Sequence, residues 1–161
     1  MSTIALPAGL ETLRLEPLMA MTLIVAPPIR FGAGPGGERR VGVVTGGRFE
    51  GDRFAGHVLD GGADWQLRRS DGAWLIDCRL VLQTDDGAIV GMQYSGLRHG
   101  PGDVMDRLAQ GDPVDPSEYY FRITPTFETA DPRYAWLNQL VGVGAGHRPP
   151  SGPVYKVWSV V

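Results

Sequence analysis

The chain has little cysteine, almost no lysine and no long hydrophobic run, and each shortage removes a class of protein. One cysteine, Cys78, in 161 residues excludes an intramolecular disulfide framework and fits a reducing compartment, so a cytoplasmic location is expected. Fourteen of the fifteen cationic residues are Arg, and Asn138 is the only Asn, a bias for which codon usage is the simplest cause. A net charge of −3 without any block of like charge gives no footprint for nucleic acid or a membrane surface. The longest uncharged run near the N-terminus, Pro17 to Ile29, is too short to span a bilayer and contains prolines. No basic segment followed by an apolar core and a small-residue cleavage site opens the chain, so no secretory signal is expected.

The usual chemical motifs are missing too. Gly32 to Gly37, GAGPGG, matches the spacing of a dinucleotide-binding loop, but Pro35 interrupts it and strand-like residues follow where that mechanism needs a helix N-terminus. It reads as a hairpin loop. His57, His99 and His147 stand far apart in sequence without a second ligand at metal-binding spacing, and TDDG and SDGA lack the remaining ligands of a calcium loop. No G-x-S-x-G elbow occurs, and Cys78 alternates with Ile76, Leu80 and Leu82 as a small hydrophobe would. No metal and no cofactor is therefore expected.

What the chain does have is glycine, proline and alternation. Twenty-three Gly and thirteen Pro punctuate it too often for long helices. Extended segments are expected near Leu13–Val25, Arg40–Phe49, Arg53–Leu59, Asp64–Arg69, Trp74–Gln83, Ala88–Ser95, Tyr119–Phe127 and Val154–Val160. SDGA and DDGA place Asp-Gly, and DGGAD paired glycines, where a tight hairpin needs positive φ. Two short helices interrupt the pattern. Asp103 is the expected N-cap of GDVMDRLAQGD and Gly111 its terminator, while Asp131 and Pro132 start ADPRYAWLNQL. They are expected to plug barrel ends, although the connection from Gly96 to Glu118 is long enough for a lid. The fold class expected is all-β: one closed antiparallel barrel of about eight strands over residues 1–161, with 1–10 a loosely attached N-terminal segment.

Alternation also poses the functional question. On one strand Asp77 and Arg79 share a face opposite Ile76, Cys78, Leu80 and Leu82, and on another Asp64, Gln66 and Arg68 oppose Trp65 and Leu67. Read alone, such faces put apolar residues in the core and charges in water. The inverse lines a cavity with the charges and leaves the apolar face for another subunit to cover.

The motifs GGRFEG, GGADW, SDG, LIDCRL, TDDGAIV, YYFRITPTFET and DPRYAWLN occur in that order over roughly Leu13 to Val161, and together they resemble the DUF3237 family, also called UPF0311. The resemblance implies a closed barrel like those of calycins and allene oxide cyclases. It brings no agreed activity. The charged positions Asp64, Asp77, Arg79 and Arg122, with Glu128 and Trp136, fall within it, which favours a polar cavity.

On that reading the protein binds a small aromatic, carbonyl or carboxylate compound. It acts as a cofactor-independent acid/base enzyme of isomerase, cyclase, hydratase or lyase type. Asp64, Asp77, His57, Tyr94 and Tyr120 are the candidate catalytic groups, and Arg79, Arg122, Glu128, Trp65 and Trp136 the candidate substrate contacts. Asp77 and Arg79 are expected to face one cavity together, with a homo-oligomer covering the outer apolar faces. The alternatives are a ligand-binding barrel without turnover and a fully packed structural oligomer.

Overall fold

The computed structural model describes residues 3–161. Ten strands occur among them: β1 Leu15–Val25, β2 Ile29–Gly34, β3 Gly37–Glu50, β4 Ala55–Val58, β5 Gly62–Arg68, β6 Trp74–Thr84, β7 Ile89–His99, β8 Tyr120–Glu128, β9 Gly142–His147 and β10 Val154–Val160. All pairings are antiparallel, and β1 pairs with both β10 and β3, which closes the sheet on itself. β4 and β5 each bridge β3 to β6, one beyond the other along the same gap, so together they make one stave. The result is a closed barrel of eight staves, with β2 as an extra strand that pairs with the start of β3 beyond the stretch paired with β1. Among the described residues no helix is long and apolar enough to cross a membrane.

The turn chemistry behaves as its residues require: Gly61, Gly72 and Gly87 all take positive φ in the hairpin connections. GAGPGG forms the β2–β3 hairpin, with strand on both sides. Two strands, β2 and β9, lie outside the segments whose alternation marks them as extended. β9 is masked in sequence by glycine at every second position, a composition normally adverse to strands. A Cβ on Gly142, Gly144 or Gly146 would lie within 2.6–2.8 Å of side-chain atoms of Pro125, Ile123 or Phe121 on β8. These glycines are the space into which large β8 side chains fit.

Helix α1, Gly102–Ala109, follows β7 at one end of the barrel, and a 3-10 helix, Pro132–Gln139, follows β8 at the other. Asp131 caps the latter by accepting from the Arg133 N–H, with Pro132 next in line, as expected. Asp103 does not cap α1: Pro101 holds the N-cap position and Asp103 falls in the first turn, where its charge still complements the helix dipole. Of the N-terminal segment expected to be loosely attached, residues 1–2 lie outside the described residues, and 3–10 are exposed with a short 3-10 turn at Ala8–Leu10.

The question of the faces receives a different answer on each strand. On β6, Ile76, Cys78, Leu80 and Leu82 are buried and Asp77 and Arg79 are exposed. The expectation that these two charges share an interior cavity is thereby overturned. An eight-stave barrel has room for one filling of side chains, and burying a leucine contributes about 1.5–3 kcal/mol, whereas burying an unpaired charge costs several. On β5 the polar face turns inward: Asp64 and Gln66 are buried, while Trp65 stays 47% exposed and meets Phe31 of β2 edge-on at 5.8 Å. With the β6 apolar face inside, the premise for an oligomer covering that face is removed.

Candidate active site

Among the described residues only Asp64, Gln66, Thr84 and Arg98 are polar or charged side chains that are buried. Thr84 belongs to the β6–β7 turn. The other three converge at the opposite end, where β5, β6 and β7 meet beneath α1. Register explains the convergence: Arg40 of β3 lies opposite Gln66, Gly42 opposite Asp64, and Arg98 opposite both Trp74 and Phe121.

A directed chain of hydrogen bonds ties them together. Arg40 Nε donates to Gln66 Oε1 at 2.7 Å, and Gln66 Nε2 donates to Asp64 Oδ2 at 2.7 Å. The Asp77 backbone N–H donates to Asp64 Oδ1 at 3.2 Å, so Asp77 contributes its backbone here, not its carboxylate. Arg40 also lies over the Trp74 ring, 3.9 Å from its centroid. Across the mouth, the Tyr119 hydroxyl accepts from the Arg148 N–H at 2.8 Å and lies 2.9 Å from His147 Nδ1, which fixes the segment carrying Arg148.

Two adjoining hollows open here, of about 350 Å³ and 180 Å³, sharing Pro28, Arg40, Leu108, Ala109 and Arg148 in their walls. Gln66 lines the larger; Arg30, Arg68, Trp74 and Arg98 line the smaller. Larger depressions of about 600 and 670 Å³ lie on the barrel's outer wall and hairpin, but neither is bordered by the buried polar residues that distinguish this end.

The electrostatics of the end are unusual. Burial raises the Asp64 pKa above 3.8, against the opposing pull of the Gln66 amide, the Asp77 N–H, Arg98 and Arg148. Burial lowers Arg40 to about 9, with repulsion from Arg98, Arg148 and Arg30 adding to it. Arg98, 3% exposed, is lowered to about 10 by burial and then by Arg148, and its Nε has no hydrogen-bond partner among the described residues. Deeper inside, Tyr94 and Tyr155 join hydroxyls at 3.4 Å, and burial raises both, as it does the Cys78 thiol.

Of the residues singled out from sequence, Asp64 and Tyr94 lie inside. His57 is exposed beside Asp85 at 3.8 Å, and Tyr120 stacks outside on His99 at 4.9 Å, with the exposed Arg122 over its ring at 5.1 Å. Arg79 and Glu128 border a separate hollow of about 400 Å³ on the barrel wall, away from Asp64 and Arg98. Trp136 is half-buried at the far end, under the Arg53 guanidinium at 3.6 Å. The structure therefore does not bring these residues together.

Sequence reasoning missed Arg40, Arg98, Arg148, Trp74 and Tyr155. One signal was available: Arg98 has the parity of Val90, Met92 and Tyr94, all buried, so carrying that strand on to His99 turns Arg98 inward.

Comparison with known proteins agrees with this architecture. The model for "Protein of unknown function (DUF3237)" matches residues 13–160. A UPF0311 protein of Rhodopseudomonas palustris is 38% identical over 125 residues, covering 78% of this chain and 82% of its own. The crystal structure of a conserved R. palustris protein of unknown function matches with a TM-score of 0.90 at 35% identity, over 93% of this chain and 99% of that one. A β-barrel-like protein of Acinetobacter baumannii gives 0.83 at 41% identity, covering 96% and 100%. A chain described as an enzyme from Penicillium herquei shares the fold, with a TM-score of 0.72 at 21% identity over all of both chains.

Proposed function

This chain belongs to the DUF3237 family, and from that premise we propose that it is a small-molecule-binding barrel working as a cofactor-independent acid/base enzyme. Its substrate is a small carbonyl or carboxylate compound that enters at the α1 end. The observation that carries the reading is Asp64: a carboxyl buried beneath a cationic hollow, with a pKa raised by that burial. Groups that must change protonation state during a reaction are found in such surroundings.

The parts have distinct tasks. The guanidiniums of Arg40, Arg98 and Arg148 offer forked donors to a carboxylate or to an enolate oxygen as its charge develops. Gln66, locked between Arg40 and Asp64, holds the carboxyl in one orientation. Asp64 takes or returns the proton. α1 covers the mouth with Met105 and Leu108 and keeps bulk water from the charges.

A binding barrel without turnover is favoured by a different observation. Both Asp64 oxygens already accept hydrogen bonds, and Gln66, not Asp64, lines the larger hollow. Deuterium exchange separates the two. Keto acids and aromatic carbonyl compounds are incubated with the protein in D2O, and C–H loss is followed by proton NMR. Exchange above the buffer rate that falls about a hundredfold or more in Asp64→Asn supports the enzyme. Unchanged exchange in that variant would remove Asp64 from the chemistry, and binding without exchange in any compound would favour the binder.

A further inference from the structure

The charge and shape of the α1 end together restrict the ligand further: we infer that the hollow takes a small organic dianion, carrying either two carboxylates or one phosphate on an apolar body. This presupposes that the hollow is the working site described above.

Three guanidiniums, those of Arg40, Arg98 and Arg148, face this space, with Arg30 and Arg68 at its rim. None of the ion pairs among the described residues engages Arg30, Arg40, Arg98 or Arg148; only Arg68 has a partner, Glu38 at 3.8 Å. The only acid in the walls of the two hollows is the exposed Asp106 of α1, and Asp64, buried behind Gln66, already accepts from Gln66 and the Asp77 N–H. The cationic excess is therefore larger than one carboxylate neutralises. Arg40 spends its Nε on Gln66 and one face on Trp74, leaving its terminal nitrogens for a ligand. Arg98 is buried with its Nε unpartnered, an arrangement that costs free energy unless an acceptor arrives. Burial and mutual repulsion depress Arg40 and Arg98, and a dianion beside them reverses the second of these effects.

The remaining walls describe the rest of the ligand. Val25, Pro28, Leu108, Pro149 and Pro153 contribute apolar wall to the larger hollow beside Arg40 and Arg148. The C-terminal half of α1 lines both hollows, and its dipole offsets only part of the field of the surrounding arginines. The volumes suit a ligand of one ring or a short chain.

The test uses the whole protein at neutral pH and matched ionic strength, with benzoate, phthalate, phenyl phosphate and inorganic phosphate as probes in calorimetry and thermal shift. Phthalate or phenyl phosphate is expected to bind at least about tenfold tighter than benzoate, and to raise the melting temperature accordingly. Which of the two binds tighter identifies the anionic group. Arg98→Met and Arg40→Met should each weaken binding about tenfold or more, while Arg133→Met, at the far end, keeps it. Benzoate binding as tightly as phthalate overturns the inference. So does dianion binding that survives Arg98→Met in a variant folded by circular dichroism, and so does the absence of binding by any probe at millimolar concentration. Asp64→Asn distinguishes the levels: dianion binding retained while C–H exchange is unaffected sinks the acid/base reading alone, and exchange on neutral compounds without dianion binding sinks this inference alone.

Discussion

The two ends of the barrel are closed by opposite means. At the 3-10 helix end every prominent charge has a partner. Arg133 is bonded to Asp131 at 2.7 Å and to Asp86 at 2.9 Å, the Tyr134 hydroxyl donates to Asp86 at 2.8 Å, and Asn138 exchanges two hydrogen bonds with the Thr129 backbone. Beneath them Phe54 packs against Phe49 at 5.1 Å and Trp136 at 5.8 Å. At the α1 end, Arg98 is buried with its Nε unpartnered and its guanidinium over the Phe121 ring at 5.3 Å, and Asp64 is buried. One end is a seal. The other keeps a cationic excess that Asp64 and the neighbouring tyrosines offset only in part, and it is closed less completely than the seal.

The contrast can be broken most forcefully at the seal. Phe54→Ala removes a buried ring from the aromatic plug and is expected to cost about 3–5 kcal/mol in urea denaturation, with ligand affinity at the far end unchanged in the folded fraction. A loss below about 1 kcal/mol would mean that the plug is not part of the core.

The opposite response is expected at the other end. Arg98→Met replaces a buried, unpaired charge with an apolar chain of similar length. Stability should be unchanged or raised by about 1–4 kcal/mol while anion binding is lost. Destabilisation by Arg98→Met as large as that of Phe54→Ala would show that Arg98 is a structural residue, and the two ends would no longer differ.

The smallest effect is in pH dependence, and its sign differs between the ends. Asp131 and Asp86 lie below 3.8, held there chiefly by hydrogen bonds from Arg133 and from Thr84 respectively, so their contribution is present above that value and is lost as pH falls through their folded pKa. Asp64 lies above 3.8 because of burial. The folded state then holds a proton that the unfolded state has released, so its contribution is full below 3.8 and is lost as pH rises through the folded pKa. Denaturation midpoints against pH should therefore show a milder decline on the neutral side in Asp64→Asn than in the wild type. Parallel profiles would place Asp64 in a solvated setting and remove the asymmetry.

Much of the barrel is legible in local chemistry. Asp-Gly turns, alternating strands and the Asp131–Pro132 start of the 3-10 helix are properties of a few adjacent residues, and each formed as its residues require. β9 was not legible, because the reason for its glycines is the bulk of Pro125, Ile123 and Phe121 on the neighbouring strand. Of the candidate site, sequence singled out Asp64 but not Arg40 and Arg148, which neighbour Asp64 only through pairing and loop placement.

By itself the sequence determined that Asp77 and Arg79 share one face, that Asp64 and Gln66 share another, and that turns of positive φ join the strands into an antiparallel sheet. A period of two residues settles which side chains go together but is blind to which side is inside. Tertiary structure decided that. On β6, Ile76, Cys78, Leu80 and Leu82 were needed to fill the barrel and turned their charged neighbours out. On β5, Gly42 and Arg40 opposite Asp64 and Gln66 left room for polar groups and supplied a donor for them, so that face could turn inward beside the hollow at the α1 end.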